Sequence, residues 1–479
     1  MMKNTSKLSA LLGATLLAGA PVHAAKSDVI AEMDAGRAPY EELALQIWDY
    51  AELGYLETKS SGALQDTLAA AGFSVEAGVA GMPTGFVASY GSGSPVIGIL
   101  AEFDALPGVS QTATPEREVR EDSTAGHACG HHLFGAGSVE AAIAVKDWLA
   151  SNGRSGTIRL YGTPAEEGGS GKVYMVREGL FDDVDVALHW HAGDRNLVTN
   201  TPSLANKSGK IRFHGIASHA AGAPERGRSA LDAVEALNYM MNMMREHVPD
   251  STRIHYVITR GGEAPNVVPA FAEVYYYVRS PDRNVVMDVW SRLEKAAEGA
   301  ALGTGTTWDF ELTGGVYDLL PNDTLAKVAH ENMVLVGGVD YDETEQAFAA
   351  KLGRSLPGGR HAALELATDI LPFDYVRTGG GSTDVGDVSW TVPTIGVRTA
   401  TWVPGTAAHS WQAVAAGGTT IGLKGMQVAA KTLALTAMDL FEDPALIAAA
   451  KAEFEERRGA SFDYQSMLGD RPPALDYRK

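Results

Sequence analysis

Residues 156–161 read Gly-Thr-Ile-Arg-Leu-Tyr, a short apolar and β-branched run, and residues 164–169 follow it as Pro-Ala-Glu-Glu-Gly-Gly. Runs of the same texture recur earlier and later in the first half of the chain, at residues 85–90, 95–101 and 184–190. Helical stretches separate them, for example at residues 136–149 and 171–179. Because strands that alternate with helices build parallel sheets covered on both faces, this order predicts an α/β domain with a mixed, largely parallel sheet flanked by helices.

A different texture begins near residue 208 and lasts to about residue 320. Three segments there have alternating faces and predict strands, at residues 210–214, 253–259 and 272–279. Helical patterns at residues 229–246 and 284–298 lie between or after these strands. The resulting β-α-β-β-α-β order predicts a small ferredoxin-like α+β domain with an exposed sheet.

The length of the chain, 479 residues, is more than one hydrophobic core usually serves, so two domains are expected. Later segments predict a strand and a helix from Asp323 onward, a strand at residues 394–401 and a long helix at residues 415–441. We expect these elements to return the chain to the first domain. Residues 25–207 and 321–479 would then form the main domain, with residues 208–320 inserted into it.

The charge balance excludes one class of partner. The 39 Lys and Arg against 59 Asp and Glu give a formal net charge of −20, which repels polyanions, so nucleic acid is not expected as a ligand. The composition, 45% hydrophobic and 20% charged, is typical of globular proteins. Beyond the first 25 residues no continuous apolar run is long enough to cross a membrane, and no membrane association is expected.

The N-terminus has the pattern of a secretory signal peptide. Lys3 and Lys7 precede an apolar stretch at residues 8–20, and Val22-His23-Ala24 offers a cleavage site. A buried N-terminal helix is the alternative, but this stretch has few polar positions at a helical period. We therefore expect residues 1–24 to be a signal peptide and the protein to be exported to the periplasm. Its single cysteine, Cys129, can form no intramolecular disulfide there.

Four side chains that can bind metal stand within six residues, in the segment His127-Ala128-Cys129-Gly130-His131-His132. A thiolate and an imidazole two residues apart can reach one first-row metal ion. On ligand chemistry alone, the cluster could equally be accidental or a metal-binding patch on the surface.

Three further segments carry groups suited to hydrolysis. Glu166 and Glu167 follow the strand at residues 156–161, at the end where α/β sheets hold their ligands. Adjacent acids point in different directions, so one can bind metal while the other takes a proton; a solvated acidic turn is the alternative. His189 and His191 lie on one face of a strand, and either could be a ligand. A loop of small residues carries His409.

These motifs together resemble the M20 metallopeptidase family, in its amidohydrolase branch. The matching segments are Ala-Glu-Phe-Asp-Ala-Leu-Pro at residues 101–107, His-Ala-Cys-Gly-His at 127–131, Glu-Glu-Gly-Gly at 166–169 and Gly-Ile-Ala-Ser-His-Ala-Ala at 215–221. Residues 381–390 and 409–412 are similar to the aminobenzoyl-glutamate utilisation B-type proteins of that branch. The resemblance covers about residues 40–441. One departure is Glu102, which stands where the wider branch usually has Asp.

The resemblance implies two divalent metal ions per chain, with Zn, Mn and Co all compatible with the ligands. The implied ligands are Cys129 as the bridge, His131 and His191 at one ion, and Glu167 and His409 at the other. Glu166 would be the general base, and Asp104 would orient the ligands. The branch does not use His132 or His189 as ligands, and His127 would at most support the site.

The resemblance also implies residues that meet the substrate. His219, in the inserted domain, would lie over the active site of a partner subunit and stabilise the oxyanion of the tetrahedral intermediate. Without the resemblance, His219 would be interpreted as an ordinary polar loop residue. Asn266 and Arg279 match positions linked to substrate or carboxylate contact, and the fork of Arg suits a carboxylate. Residues 208–320 would then act as a lid and dimerisation domain of a homodimer.

The expected function is hydrolysis of the amide bond of small N-acyl or N-aroyl amino acids, similar to p-aminobenzoyl-glutamate. The alternatives are a dipeptidase or carboxypeptidase of the same family and a non-catalytic metal-binding subunit. A serine hydrolase is not expected, since residues 168–172 and 380–384 both lack the closing Gly of a nucleophile elbow. A phosphate loop is not expected either, because Val173 stands where Ser or Thr is needed.

Overall fold

The computed structural model describes residues 22–358, 364–376 and 380–479. Residues 1–21, most of the expected signal peptide, lie outside these ranges, and the first helix begins at Val22. Within the described ranges, no helix is both long and apolar enough to cross a bilayer.

Strands and helices alternate along much of the described chain. The strands are β1 (Ser74–Ala77), β2 (Phe86–Ser92), β3 (Val96–Ala101), β4 (Leu106–Pro107), β5 (Ala125–Gly126), β6 (Gly156–Gly162), β7 (Val186–Gly193), β8 (Leu197–Thr199), β9 (Ala205–His214), β10 (Arg253–Arg260), β11 (Phe271–Ser280), β12 (Thr307–Val316) and β13 (Thr394–Ala400). The helices are α1 (Val22–Gly36), α2 (Ala38–Tyr50), α3 (Thr58–Ala70), α4 (His131–Ser151), α5 (Gly171–Arg177), α6 (Ala230–Met244), α7 (Arg283–Thr304), α8 (Asp323–Val336), α9 (Glu343–Gly353), α10 (Glu365–Thr368), α11 (Val385–Ser389), α12 (Trp411–Gly417), α13 (Thr420–Glu442) and α14 (Pro444–Arg458).

The main sheet contains seven of the described strands, in the order β1-β2-β6-β3-β7-β13-β8. The four central strands β6, β3, β7 and β13 are parallel, whereas β1, β2 and β8 pair antiparallel toward the edges. Strand β3 is buried along its whole length, which explains its continuous apolar sequence. Helices α3, α4, α8 and α13 pack on the sheet. The expected mixed, largely parallel sheet flanked by helices is confirmed.

The inserted region forms a separate antiparallel sheet in the order β10-β11-β9-β12, with α6 and α7 packed on it. The chain order β9-α6-β10-β11-α7-β12 is the ferredoxin-like order expected from the sequence. Strands β10 and β12 are the edges of this sheet, and β10 is exposed over almost all of its length. The sheet extends from Ala205 to Val316. It therefore begins slightly before residue 208 and ends slightly before residue 320, the bounds that the sequence predicts for this domain.

Two elements of the C-terminal half differ from expectation. The long helix expected at residues 415–441 is wrong, because α12 ends at Gly417 and α13 begins at Thr420. Gly418 lies against the Trp48 ring, where a Cβ atom would approach to 2.7 Å, and the extended backbone of Thr419 interrupts the helix. The strand expected from Asp323 onward is also wrong for the described residues, since α8 begins directly at that residue.

The hydrophobic core is divided between the two domains. The larger cluster of buried apolar side chains lies between the main sheet and its helices, and the second lies between the inserted sheet, α6 and α7. The second cluster also includes Tyr317, Trp390 and Met467, which come from the return crossing and from later parts of the chain. The inserted domain is therefore packed onto the main domain through apolar contacts.

The carboxyl ends of the central strands determine where functional side chains gather. Asp104 follows β3, Glu166 and Glu167 follow β6, His191 lies near the end of β7, and the loop with His409 follows β13. Because parallel strands end at the same edge of the sheet, side chains far apart in sequence come together there.

Candidate metal centre and active site

A tight turn places Cys129 and His131 at the start of α4. Gly130 has a left-handed backbone (φ 78°), and a Cβ atom there would lie 2.4 Å from the side chain of Ala192. Glycine therefore allows this turn to press against β7. As a result, Sγ of Cys129 lies 3.4 Å from Nε2 of His191.

Asp104 orients both halves of the cluster. Its Oδ1 accepts a hydrogen bond from Nδ1 of His131 at 2.8 Å, and its Oδ2 accepts one from the backbone N–H of Glu167 at 2.9 Å. Burial would raise the pKa of the Asp104 carboxyl, but these contacts outweigh burial and hold the pKa below its ordinary value. Since Nδ1 of His131 is a donor to Asp104, its Nε2 is the nitrogen available to a metal ion.

Glu167 and His409 form the other half of the cluster. Oε1 of Glu167 lies 3.1 Å from Nε2 of His409, and this contact raises the pKa of His409. The backbone N–H of His409 donates to the carbonyl oxygen of Ala128 at 2.9 Å, which ties its loop to the turn that carries Cys129. His409 has a left-handed backbone (φ 62°), which is uncommon for a residue other than glycine.

The donor atoms converge in two groups that share one sulfur atom. The groups are Cys129, His131 and His191, and Cys129, Glu167 and His409, with the donor atoms of each group within 4.8 Å of one another. Nε2 of His131 and Oε1 of Glu167 are buried and have no aligned hydrogen-bond partner among the described residues. Buried donor atoms without a hydrogen-bond partner are suited to binding cations, and a mixture of S, N and O donors suits Zn, Mn or Co. The residues present therefore fit the divalent metal ions that the sequence motifs imply.

Glu166 lies beside these groups without belonging to either. Its Oε2 is 3.9 Å from Nε2 of His131, and with Glu102 and His131 it forms a third set of close donor atoms. Burial, together with the negative charges of Glu102 and Glu167, raises the pKa of Glu166 well above its ordinary value. The two adjacent carboxylates therefore face different partners, Glu167 facing His409 and Glu166 facing His131.

The histidines that were not expected as ligands are buried away from the converging donor atoms. His127 and His132 each place Nε2 3.0 Å from a backbone carbonyl oxygen. His189 packs against Gly396 in the main sheet, and burial lowers its pKa to about 3. Among the described residues, none of the three belongs to a group that could hold a metal ion.

A buried ion network next to the cluster was not predicted from the sequence. Nζ of Lys172 lies 2.7 Å from Oε1 of Glu102 and 2.7 Å from Oδ1 of Asp384, and at most 1% of each side chain is exposed. Burial disfavours the charge of Lys172, but the two carboxylates outweigh burial and hold its pKa above the ordinary value. Oε2 of Glu102 also lies 3.0 Å from Nε2 of His131, so the network reaches the cluster. The unusual Glu102 was its only signal in the sequence.

The residues expected to meet the substrate occupy two different places. Arg279 lies near the end of β11. It is close enough to His409 for its positive charge to oppose protonation of that imidazole and so to offset part of the rise in its pKa. Its guanidinium lies 5.3 Å from the Tyr277 ring, and its Nε is buried without a hydrogen-bond partner among the described residues. His219 and Asn266 are exposed on the inserted domain, and within the described chain no hydrogen bond joins either side chain to the cluster.

The loop around His219 fixes which nitrogen carries the proton. The backbone N–H groups of Ala221 and Gly222 donate to Nδ1 of His219 at 3.2 and 3.1 Å. Nδ1 is therefore an acceptor, and in the neutral ring Nε2 must carry the hydrogen. His219 thus has an N–H donor available for a group outside its own loop.

Comparison with known proteins relates this architecture to characterised relatives. Residues 205–304 match the family model of the peptidase dimerisation domain. The chain is 42% identical to the B subunit of p-aminobenzoyl-glutamate hydrolase of Escherichia coli K12, over 88% of this chain and 93% of that protein. It is 30% identical to the Xaa-Arg dipeptidase of Mus musculus, over 86% of this chain and 88% of that protein.

Solved structures share the fold. A dinuclear metal-binding peptidase of the M20 family from Bacillus subtilis aligns with a TM-score of 0.59 at 19% identity, covering 85% of this chain and 99% of that one. An aminobenzoyl-glutamate utilization protein from Klebsiella pneumoniae also aligns with a TM-score of 0.59 at 19% identity, covering 86% and 98%. Fold, donor cluster and relatives together define a metal-dependent amidohydrolase. The chain belongs to the M20 metallopeptidase family, as the sequence motifs predicted.

Replacing Lys172 by Met should destabilise the fold, because Glu102 and Asp384 would be left buried without a cation. Removing one partner of a buried ion pair costs about 3–5 kcal/mol. Urea denaturation monitored by circular dichroism measures the free energy of unfolding. Lys351→Met is the matched control, since the Lys351–Glu116 pair is more than half exposed on both sides and should contribute only about 0–1 kcal/mol. Equal losses in the two variants would contradict a structural role for the buried charge.

Proposed function

We propose that this chain is a dinuclear amidohydrolase that cleaves the amide bond of N-acyl or N-aroyl amino acids, of the p-aminobenzoyl-glutamate class. The observation that carries the proposal is the sharing of Cys129 between two donor groups, with Glu166 beside them and outside both. A bridging donor is what two adjacent ions require, and an acid outside both donor groups is what proton transfer requires. The similarity to the Escherichia coli p-aminobenzoyl-glutamate hydrolase supports the substrate class.

Some of these residues would hold the metal ions and the substrate, and another would transfer protons. Divalent ions held by the two groups would polarise the substrate carbonyl and lower the pKa of the attacking water. Glu166 takes a proton from that water and delivers it to the nitrogen of the leaving amine. Asp104 binds Nδ1 of His131, which leaves Nε2 of that ring available to a metal ion. It also holds the backbone N–H of Glu167 and so restrains the loop that carries this carboxylate. Arg279, whose Nε has no hydrogen-bond partner among the described residues, is suited to the carboxylate of the amino-acid part.

Stabilisation of the oxyanion of the tetrahedral intermediate is assigned to His219 of a second copy of the chain. Its exposed imidazole has a fixed Nε2–H donor but makes no hydrogen bond to the cluster of its own chain in the described residues. Asn266 lies on the same exposed part of the inserted domain and would join it at the substrate. The match to the peptidase dimerisation domain and the exposed edge strand β10 support a homodimer built through this domain.

A second arrangement is favoured by one specific observation. The similar Escherichia coli protein is named as one of the subunits of its hydrolase, so this chain could act in a heteromer with a different catalytic partner. The presence of both donor groups and Glu166 within this one chain favours activity of the homomer. Purified protein that hydrolyses p-aminobenzoyl-glutamate without another chain would separate the two arrangements.

The different roles of Glu166 and Glu167 can be tested by conservative amide variants. Glu166→Gln should lower kcat by roughly two to four powers of ten, because it removes the base, while metal content remains at two ions per chain. Glu167→Gln should lower metal content toward one ion, because it removes a donor atom. Elemental analysis and hydrolysis of N-aroyl amino acids measure both effects. Retained kcat in Glu166→Gln, or metal loss in that variant alone, would reverse the assignment.

Action of His219 across subunits can be tested by complementation. His219→Ala and Glu166→Gln are each expected to be inactive as homodimers. After mixed refolding, one of the two sites in each heterodimer has both residues intact. That site should recover activity. Size-exclusion chromatography and differently tagged chains verify that subunits exchange. Exchange without recovered activity would show that His219 does not act in trans.

Export is proposed from the pattern at residues 1–24. Full-length protein expressed in a Gram-negative host should appear in the periplasmic fraction, and mass spectrometry should find a mature N-terminus near residue 25. Leu16→Arg introduces a charge into the apolar stretch and should leave the uncleaved precursor in the cytoplasm. An uncleaved wild-type chain in the cytoplasmic fraction would refute export.

A further inference from the structure

The C-terminal segment (residues 459–479) has no role in the proposed chemistry described above. It leaves α14 after Arg458 and runs across both domains. Arg471 donates to the carbonyl oxygen of Leu312 in β12 of the inserted domain, and its Nε lies 3.1 Å from the hydroxyl of Tyr174 in α5. Arg177 of α5 in turn donates to the Arg471 carbonyl oxygen at 2.7 Å. The segment is therefore anchored well before it reaches its last residues.

The end of this segment contacts the loop that carries the two catalytic-site carboxylates. The hydroxyl of Tyr477 donates to the backbone carbonyl oxygen of Glu167 at 3.2 Å, and the guanidinium of Arg478 donates to the same oxygen at 2.5 Å. The backbone N–H of Glu167 is already bound to Asp104. Both backbone hydrogen-bonding groups of Glu167 are thus held from outside its own loop, and this restricts the direction of its side chain.

The position of Tyr477 is closely defined by its neighbours. Its ring makes an edge contact with Tyr55 at 5.7 Å, and the Tyr55 hydroxyl donates to the carbonyl oxygen of Gly169 at 2.8 Å. A Cβ atom at Gly54 would lie 2.2 Å from the Tyr477 hydroxyl, so only glycine leaves room for it. The guanidinium of Arg478 lies 4.8 Å from the centre of the Tyr477 ring. These contacts restrict both side chains to one position beside the loop.

The loop itself needs such support. Ala165 has a left-handed backbone (φ 56°), a conformation that costs a residue with a side chain roughly 1–3 kcal/mol. The buried carboxylate of Glu57 accepts the backbone N–H of Ala165 at 2.8 Å and so holds the start of the loop. The C-terminal segment holds its other side, at Glu167. A loop restrained at both ends keeps its ligand in one orientation.

We propose that Tyr477 and Arg478 are positioning residues, which fix the peptide carbonyl of Glu167 and thereby direct its carboxylate to the metal ion shared with Cys129 and His409. The inference rests on the proposed function, because it treats Glu167 as a ligand. Groups that orient metal ligands typically contribute 10–100-fold to metal affinity or activity. The effect should fall on one ion only, since the group of Cys129, His131 and His191 has no contact with this segment in the described residues.

The test uses full-length protein with Tyr477→Phe and Arg478→Met combined, which removes both donors and keeps the bulk of both side chains. Metal-free protein is titrated with Zn²⁺ against a chromophoric chelator, without substrate. One of the two ions should lose affinity by about 10–100-fold while the other is unchanged. In steady-state kinetics with saturating metal, kcat should fall more than KM rises. Arg478→Lys alone keeps a cationic donor and should retain most of the wild-type affinity.

Lys479→Met is the matched control, because it removes a positive charge from the adjacent exposed residue. The inference is overturned if the double variant binds both ions as the wild type does, or if it loses both equally together with a lower free energy of unfolding. A wild-type protein that binds a single ion would instead contradict the dinuclear proposal. In that case the inference stands only if Glu167→Gln and the double variant weaken that ion alike, and it fails if they differ.

Discussion

The carboxylate of Asp104 is the contact on which the rest of the site depends. Its two oxygens accept hydrogen bonds from the imidazole of His131, at the start of α4, and from the backbone N–H of Glu167, in the loop after β6. These two residues belong to different donor groups. Asp104 follows β3, which lies among the central parallel strands and is buried throughout. A strand buried in the centre of the main sheet therefore leads directly to the carboxylate that links the two donor groups, although Asp104 itself belongs to neither group.

The charges around this contact explain why a buried lysine is needed. Glu102, Glu166, Glu167 and Asp384 bring four carboxylates close to one another, and mutual repulsion in a buried site is costly. Lys172 forms ion pairs with Glu102 and Asp384, and Glu102 in turn contacts His131. Glu166 and Glu167 have no lysine or arginine among their side-chain ion pairs in the described residues. The network thus separates acids that are paired with a lysine from acids that have no such cation in the described part of the chain.

Local sequence patterns predicted the strands, the inserted domain and the family, because these follow from periodicity and from short motifs. They did not predict the break between α12 and α13, which depends on Gly418 meeting a tryptophan from α2. Alternation also left His189 and His191 equivalent, whereas only His191 lies at the strand end beside Cys129. Lys172 and Asp384 are 212 residues apart, and Tyr477 and Glu167 are 310 apart. Such pairings arise from tertiary folding, and no local pattern carries them.

The proposed division of catalytic residues between the two domains has a consequence for assembly. The main domain supplies the donor groups and Glu166, whereas the exposed imidazole of His219 takes no part in its own cluster's hydrogen bonds within the described chain. Edge strand β10 exposes Tyr256, Val257 and Ile258, and an exposed apolar edge favours pairing with another chain. If that pairing supplies His219 to the neighbouring site, then the same surface protects the edge and completes the chemistry. Stability and turnover would then depend together on protein concentration, because both follow the population of the assembled form.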